Sequence, residues 1–194
     1  MASLEQFKQN NPKEFMWLEE SAQTFDFARS VFQSLKRYGG LTPNQFATVQ
    51  RLCAQAETRK AQIVAKSQSA PTVDIGAIAQ SLSRAHTAGL KAPKLRLDSF
   101  VFSRAPDSGV NAGAVYVKEA GEYLGKIVGG KLFALLKVSK ETEERIIDVA
   151  KDPMNSAIAY GKKFGRCAMC NRDLTLEESV DRGMGAHCAK KYGW

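Results

Sequence analysis

Three of the four cysteines of this chain lie near one another in the sequence, in the order Cys167-x2-Cys170-x17-Cys188. Two thiols separated by two residues can point into one tight turn, and a further ligand about 15 to 20 residues later closes a tetrahedron around Zn²⁺. The spacing therefore predicts a zinc finger with these three cysteines as metal ligands. It also restricts the fold, because the segment between Cys170 and Cys188 must turn back on itself.

The fourth ligand is less clearly indicated by the sequence. His187 is the first candidate, because imidazole completes many sites of three cysteines and one histidine. Adjacent residues on a helix point about 100° apart, so His187 and Cys188 can share a metal only if His187 precedes the terminal helix. That helix is predicted to begin at Ala189. Otherwise Asp173, Asp181 or a water completes the shell.

The composition is that of a globular protein. Of 194 residues, 44% are hydrophobic and 25% are charged, which is ordinary for soluble domains. No stretch approaches the roughly 18 to 20 uninterrupted apolar residues of a membrane span, and the N-terminal segment lacks the apolar core of a signal peptide. We therefore expect a cytoplasmic protein with no membrane partner. In a reducing compartment the isolated Cys53 is expected to be a small buried hydrophobe.

The net charge of +8 favours an anionic partner. Residues 151–194 hold eight basic and five acidic residues, whereas residues 95–150 hold eight of each and are balanced. Positive charge around a finger indicates nucleic acid, and the alternative is a solvated surface that only aids solubility. The residues expected to contact phosphate are Lys162, Lys163, Arg166, Arg172, Arg182, Lys190 and Lys191, with Phe164, Tyr192 and Trp194 available for stacking.

Residues 1–66 predict a helical hairpin. Apolar residues recur every three or four positions over Pro12–Tyr38, which predicts one amphipathic helix that ends at two glycines. Thr42, Pro43 and Gln45 then carry the start signal of a second helix, which continues to residue 66.

Three further regions complete a predicted α+β fold. Residues 67–93 are rich in Ser, Ala and Pro and predict a linker with a short helix over 75–88. Residues 94–150 predict a small antiparallel β-sheet, because their short apolar runs are separated by turns of hairpin length. Residues 151–194 predict the zinc-finger module, of a treble-clef or zinc-ribbon type.

The finger resembles one that ends many phage and prophage proteins of uncharacterised function. The resemblance rests on the segment FGRCAMCNRDLT at 164–175, on ESV at 178–180, on RGMG at 182–185 and on CAKK at 188–191. The family pattern reads G-x-C-x-x-C-G-R-x-L-T-D-P-x-S, followed by G-I-G-P-x-C. The likeness covers residues 95–194 and is specific in the finger. It implies a phage-encoded protein.

The resemblance also implies roles for single residues. The metal ligands of the family correspond to Cys167, Cys170 and Cys188. Its framework residues correspond to Arg172 and Thr175, and its close-approach glycines to Gly183 and Gly185. Three positions depart from the pattern: Asn171 replaces Gly, Leu176-Glu177 replaces Asp-Pro, and Ala186 replaces Pro. The pattern does not require a histidine before the last cysteine.

Two functions follow from these features. The first is a zinc-binding accessory protein that binds DNA or RNA through the basic finger. The alternative is a phage effector that binds a host protein and inhibits or redirects it, with the finger as a folding staple. We do not expect an enzyme, because neither His86 nor His187 has a nucleophile at a recognisable spacing and no Gly-rich phosphate loop ends in Lys-Ser or Lys-Thr.

Overall fold

In the computed structural model, which describes residues 3–194, the chain is an α+β protein, as predicted. It divides into two compact units, Met1–Ala65 and Lys66–Trp194. The helices of the described residues are α1 Leu4–Asn10, α2 Pro12–Ser21, α3 Asp26–Tyr38, α4 Pro43–Gln68, α5 Gly76–Thr87, α6 Lys140–Lys151, α7 Pro153–Phe164, α8 Glu177–Arg182 and α9 Ala186–Tyr192. The strands are β1 Lys94–Leu97, β2 Phe100–Arg104, β3 Val115–Glu119, β4 Glu122–Val128 and β5 Lys131–Ala134. None of the described helices is long and apolar enough to cross a membrane.

The first unit is helical, but the single helix predicted over Pro12–Tyr38 is wrong. It is interrupted after Ser21, and α3 begins only at Asp26. The side chain of Arg29 explains the break, because its guanidinium donates hydrogen bonds to the carbonyls of Ala22 and Gln23. These bonds satisfy backbone groups that a continuous helix would pair internally.

The start of α4 agrees with its predicted signal. The Thr42 hydroxyl accepts a hydrogen bond from the Gln45 amide at 3.3 Å, and the Gln45 side chain accepts one from the Thr42 amide at 3.0 Å. This reciprocal pair is a capping box, with Pro43 at the first helical position. The core of the first unit consists of buried residues from α1 to α4, namely Phe7, Phe15, Leu18, Ala28, Val31, Phe32, Leu35 and Val49.

The second unit is built on a five-stranded antiparallel meander in which each strand pairs with the next in sequence. Successive side chains of a strand point to opposite faces of the sheet. Phe100 and Phe102 are fully buried on one face, whereas Val101 between them is half-buried on the other. Gly125 lies where β4 and β5 approach closely, since a Cβ there would come within 2.8 Å of the Ala134 backbone. The buried face forms the core of the unit.

The segment predicted as a linker contributes to this core. Its helix α5 has Ile78, Leu82 and Ala85 fully buried, and they belong to the same cluster as the sheet residues. The chain before α5 also binds the sheet, because the Val73 amide donates to the Gly130 carbonyl at 2.7 Å. The helical spacing of the three apolar residues places them on one stripe, which packs on β1 and β2.

Helix α7 connects the sheet to the C-terminal finger. Asp152 caps it by accepting a hydrogen bond from the Asn155 amide at 3.1 Å, and Pro153 is at its first position. Its buried glycine, Gly161, lies against Gly183 at the end of α8, where a Cβ on Gly161 would be 2.6 Å from the Gly183 Cα. Two glycines at the crossing therefore let the two helices approach to backbone contact.

Candidate metal centre

The structure brings the three C-terminal thiols together. The sulfur atoms of Cys167, Cys170 and Cys188 all lie within 4.8 Å of one another. Cys167 and Cys170 are in the turn that follows α7, and Cys188 is in α9. Cys167 and Cys188 are buried and Cys170 is half-buried. These three thiols could hold a metal ion.

A short knuckle positions the first two cysteines. Gly165 ends α7 in a left-handed conformation, with a φ of 64°. The chain then reverses, because the Cys167 amide donates to the Arg172 carbonyl at 2.9 Å and the Asn171 amide donates to the Cys167 carbonyl at 2.9 Å. The turn between these bonds contains both thiols. Such a turn is the geometry that a Cys-x2-Cys pair needs to bind one ion.

Asn171 accounts for one departure from the family pattern. Its φ is 62°, a left-handed conformation that glycine adopts freely and that asparagine tolerates better than most residues. The Tyr160 hydroxyl donates a hydrogen bond to its side-chain oxygen at 2.7 Å. The asparagine therefore keeps the backbone of the usual glycine and gains a link to α7.

The surroundings of the sulfurs favour the thiolate form of Cys167 and oppose that of Cys188. The backbone amides of Met169, Cys170 and Gly185 donate hydrogen bonds to the Cys167 sulfur. Burial raises the pKa of the Cys167 thiol, but these hydrogen bonds outweigh burial and lower the pKa below its ordinary value. Burial and then the neighbouring Cys170 and Cys167 sulfurs raise the pKa of Cys188 to about 12. A cation between the sulfurs would remove this repulsion, so the donor set fits a thiophilic metal such as zinc.

His187 is not brought into this group. Helix α9 begins at Ala186, three residues earlier than predicted, so His187 and Cys188 are both helical. Neighbouring helical side chains diverge by about 100°, and accordingly Cys188 is buried while His187 is exposed. The two acidic alternatives are also elsewhere, since Asp173 pairs with Arg166 and Asp181 pairs with Lys162. Among the described residues, the protein ligands brought together are three cysteines.

Gly185 occupies the place where a fourth thiol would be expected. It is three residues before Cys188 and directly precedes α9, so it corresponds to the first position of a second Cys-x2-Cys pair. Its φ of −64° and ψ of 144° suit any residue, and a Cβ would meet only the Leu174 side chain, at 3.8 Å. Neither backbone conformation nor crowding therefore requires glycine at this position.

We expect Gly185→Cys to bind zinc about tenfold more tightly than the natural chain, because a fourth thiolate would replace a weaker ligand. Competition with a chromophoric chelator measures the affinity. Absorption of the cobalt-substituted protein reports the number of thiolate ligands. Gly185→Ser is the control, since its hydroxyl has similar size but is a poor zinc ligand. Equal affinities of the Cys and Ser variants would show that the side chain at 185 does not reach the metal.

The predicted phosphate-contacting residues fall into two groups. Lys162, Lys163 and Arg166 lie within 3.5, 3.9 and 3.2 Å of the carboxylates of Asp181, Asp98 and Asp173. Within the described residues, the other four form no ion pair; they are Arg172, Arg182, Lys190 and Lys191. The second group therefore carries the uncompensated charge of the finger.

The predicted stacking residues also differ from one another. The ring of Phe164 is 48% exposed, whereas Tyr192 is buried. Burial, followed by the charges of the three clustered cysteines, raises the pKa of Tyr192, which places its phenol beside the thiols. Trp194 is half-buried against the core. Phe164 is therefore the most exposed of the three rings.

The two glycines to which the resemblance assigns a close approach differ in their surroundings: Gly183 meets the backbone of α7, whereas the Gly185 amide donates to the Cys167 sulfur but has room for a Cβ. Gly161 meets Gly183 across the α7–α8 crossing and was not predicted from the sequence. A signal for it was present, because Ala157 and Gly161 are small residues four positions apart and so lie on one face of α7. Both are buried.

The fold and the site together define an α+β protein with a C-terminal finger whose three thiols could bind a metal ion. Residues 157–193 match the model of DUF6011, a family of unknown function. The match extends from α7 to the end of α9 and so contains all three cysteines. No curated protein and no solved structure matches the chain. The similarity therefore concerns the finger and leaves its function open.

Proposed function

We propose that the chain is a zinc-binding protein that binds nucleic acid through its C-terminal finger, and that its role is binding rather than catalysis. When bound, zinc would crosslink the knuckle to α9 through Cys167, Cys170 and Cys188. The resemblance to fingers of phage and prophage proteins supports a phage-encoded accessory protein that acts in the host cytoplasm.

The observation that carries this proposal is the distribution of charge on the finger. Lys190 and Lys191 lie in the last turn of α9 and are exposed, and Arg172 is exposed at the end of the knuckle. None of the three pairs with a carboxylate in the described part of the chain. Cations that form no internal ion pair can neutralise phosphates without first breaking one, and they release counterions on binding.

The test is the triple variant Arg172→Gln, Lys190→Gln and Lys191→Gln. We expect its affinity for a 20-base oligonucleotide to fall about tenfold, with a shallower dependence of the binding constant on salt, because three phosphate contacts are lost. Fluorescence anisotropy over a salt series measures both quantities. The control removes three finger cations that are already paired, through Lys162→Gln, Lys163→Gln and Arg166→Gln. If both variants lose the same affinity, the effect is one of net charge and the assignment of the finger surface is wrong.

A protein partner is the second candidate, and one observation favours it. The finger and α7 expose three large apolar side chains, Met154 at 49%, Phe164 at 48% and Leu176 at 65%. Such residues suit a protein interface better than a phosphate backbone. Salt separates the two functions, since binding to an apolar protein surface should change little over the range in which phosphate binding weakens steeply.

A further inference from the structure

The charged side chains on the face of the sheet that points away from the core are all basic. Side chains alternate along each strand, and the pairing register identifies which of them share this outer sheet face. Its basic residues come from four strands and are Lys94, Arg96, Lys118, Lys126 and Lys131. None of the outward-pointing strand positions carries a carboxylate. The outer sheet face is therefore a positively charged surface.

These cations are not neutralised by neighbours. In the described chain none of the five forms an ion pair with a carboxylate; Arg96 donates to the Met169 carbonyl, and Lys126 donates to the Asn111 side chain. The acidic residues of the same region are engaged elsewhere. For example, Glu119 binds Arg145 at 3.0 Å and Glu122 binds Lys137 at 2.7 Å. The positive charge of the outer sheet face is thus available to an external anion.

Aromatic rings lie between these cations. Tyr116 and Tyr123 are on adjacent strands with ring centroids 5.8 Å apart in an edge-to-face arrangement. Phe133 follows on β5, and Lys126 on β4 lies directly between Tyr116 and Phe133 in the register. The three rings are half-buried, which leaves part of each ring open to solvent. A row of rings with interleaved cations offers stacking and phosphate contacts at once.

We propose that the outer sheet face binds a single strand of nucleic acid. The aromatic residues Tyr116, Tyr123 and Phe133 stack on unpaired bases, while Lys94, Lys118 and Lys131 contact the phosphates around them. A duplex fits this surface less well, because its bases are stacked on each other and leave only phosphates to bind. The inference rests on the proposed function and deepens it, since it adds a second surface and specifies the single-stranded form.

The charge test uses the variant Lys94→Gln, Lys118→Gln and Lys131→Gln, all of which are exposed. We expect the full chain to bind a 20-base deoxythymidine strand about tenfold more weakly, with the slope of log K against log salt reduced by about 2. The matched control, Arg59→Gln, Lys91→Gln and Lys140→Gln, removes the same charge from exposed positions outside the outer sheet face that form no ion pair among the described residues. It should keep the natural affinity within about twofold.

The stacking test uses Tyr123→Leu, which keeps apolar volume and removes the ring. We expect binding to weaken at least about fivefold without a change in the salt slope, because base stacking does not involve counterion release. Tyr123→Phe restores the ring and should restore the affinity. Thermal unfolding of each variant is measured alongside, so that only folded proteins are compared.

Several results would overturn this inference. One is equal loss of affinity in the outer-face variant and its matched control. Another is equal or tighter binding of a 20-base-pair duplex, and a third is a dimer in sedimentation equilibrium that the outer-face variant converts to a monomer. If the outer-face variant binds normally and only the finger variant fails, this inference is wrong and the proposed function stands. If the natural chain binds no DNA or RNA strand at all, both fail.

Discussion

Cys188→Ser is expected to abolish stoichiometric zinc binding and to unfold the second unit at temperatures where the natural chain is folded. A structural zinc site contributes an apparent binding free energy of about 10 to 16 kcal/mol in small fingers, and loss of one of three thiols removes most of it. We therefore expect the free energy of unfolding to fall by more than about 5 kcal/mol.

The loss should extend beyond the finger, because the core of the second unit is continuous. Cys167 and Cys188 belong to the same buried cluster as Phe102 of the sheet and Leu82 of α5. If the knuckle separates from α9, the apolar surface that these residues share becomes exposed to water. Hydrogen exchange read by mass spectrometry should show lost protection in peptides from β1, α5 and α7.

Cys53→Ser is the matched control, because it makes the same chemical change at a buried thiol of the first unit. It should keep one zinc per chain in native mass spectrometry. A strong chelator added to the natural chain should reproduce the effect of Cys188→Ser. If the natural chain contains no metal and a chelator leaves its melting temperature unchanged, the cysteine cluster is a packing feature and the zinc proposal is wrong.

Gly183→Ala should destabilise the second unit nearly as much as Cys188→Ser does, although it adds only one methyl group. Gly183 has a φ of 71°, and a Cβ there would overlap the Ala157 carbonyl and lie 2.5 Å from the backbone nitrogen of Ile158. Backbone atoms of α7 cannot move aside as a flexible side chain would, so α8 must shift from its packed position. We expect a loss of more than about 3 kcal/mol and a melting temperature lower by about 10 °C.

Gly165→Ala separates this steric effect from backbone strain. Gly165 has a similar φ of 64°, but nothing lies within 4 Å of the position that its Cβ would take. The free energy of unfolding of Gly165→Ala should therefore fall only by the cost of placing alanine in a left-handed conformation, about 1 to 2 kcal/mol. Thermal and urea unfolding of the two variants measure the difference. Equal losses would mean that the α7–α8 crossing is looser than its backbone contacts indicate.

Local signals in the sequence predicted the elements that depend on them. The capping box of Thr42 and Gln45 located the start of α4. Hairpin-length turns predicted the antiparallel order of β2 to β5, although the turn at Asp98 and Ser99 that separates β1 from β2 was not predicted. The spacing of the cysteines predicted that the three thiols meet. In each case the determining residues are within about 20 positions of one another, so a repeating pattern or a fixed spacing contains the information.

Features that depend on distant residues could not be predicted in this way. The helix break after Ser21 depends on the side chain of Arg29, which no periodicity describes. The exposure of His187 depends on where α9 begins. Residues 95–150 are neutral in total, so their charge indicated no partner, yet the sheet register separates basic from acidic side chains. A net charge cannot show which face of a sheet carries it.

The hydrogen bonds at the two borders of the sheet limit how this protein can associate. The amide of Arg96 on β1 donates to the Ala168 carbonyl, and the amide of Asp98, directly after β1, donates to the Ser156 carbonyl, each at 2.9 Å. On β5, the Leu132 amide donates to the Pro71 carbonyl at 2.9 Å. Both edge strands are thus covered by the chain itself, which blocks strand addition by another molecule. Because the knuckle supplies one of the two acceptors on β1, through Ala168, removal of the metal should leave the Arg96 amide unpaired, and we expect the metal-free protein to aggregate through β-pairing at this edge.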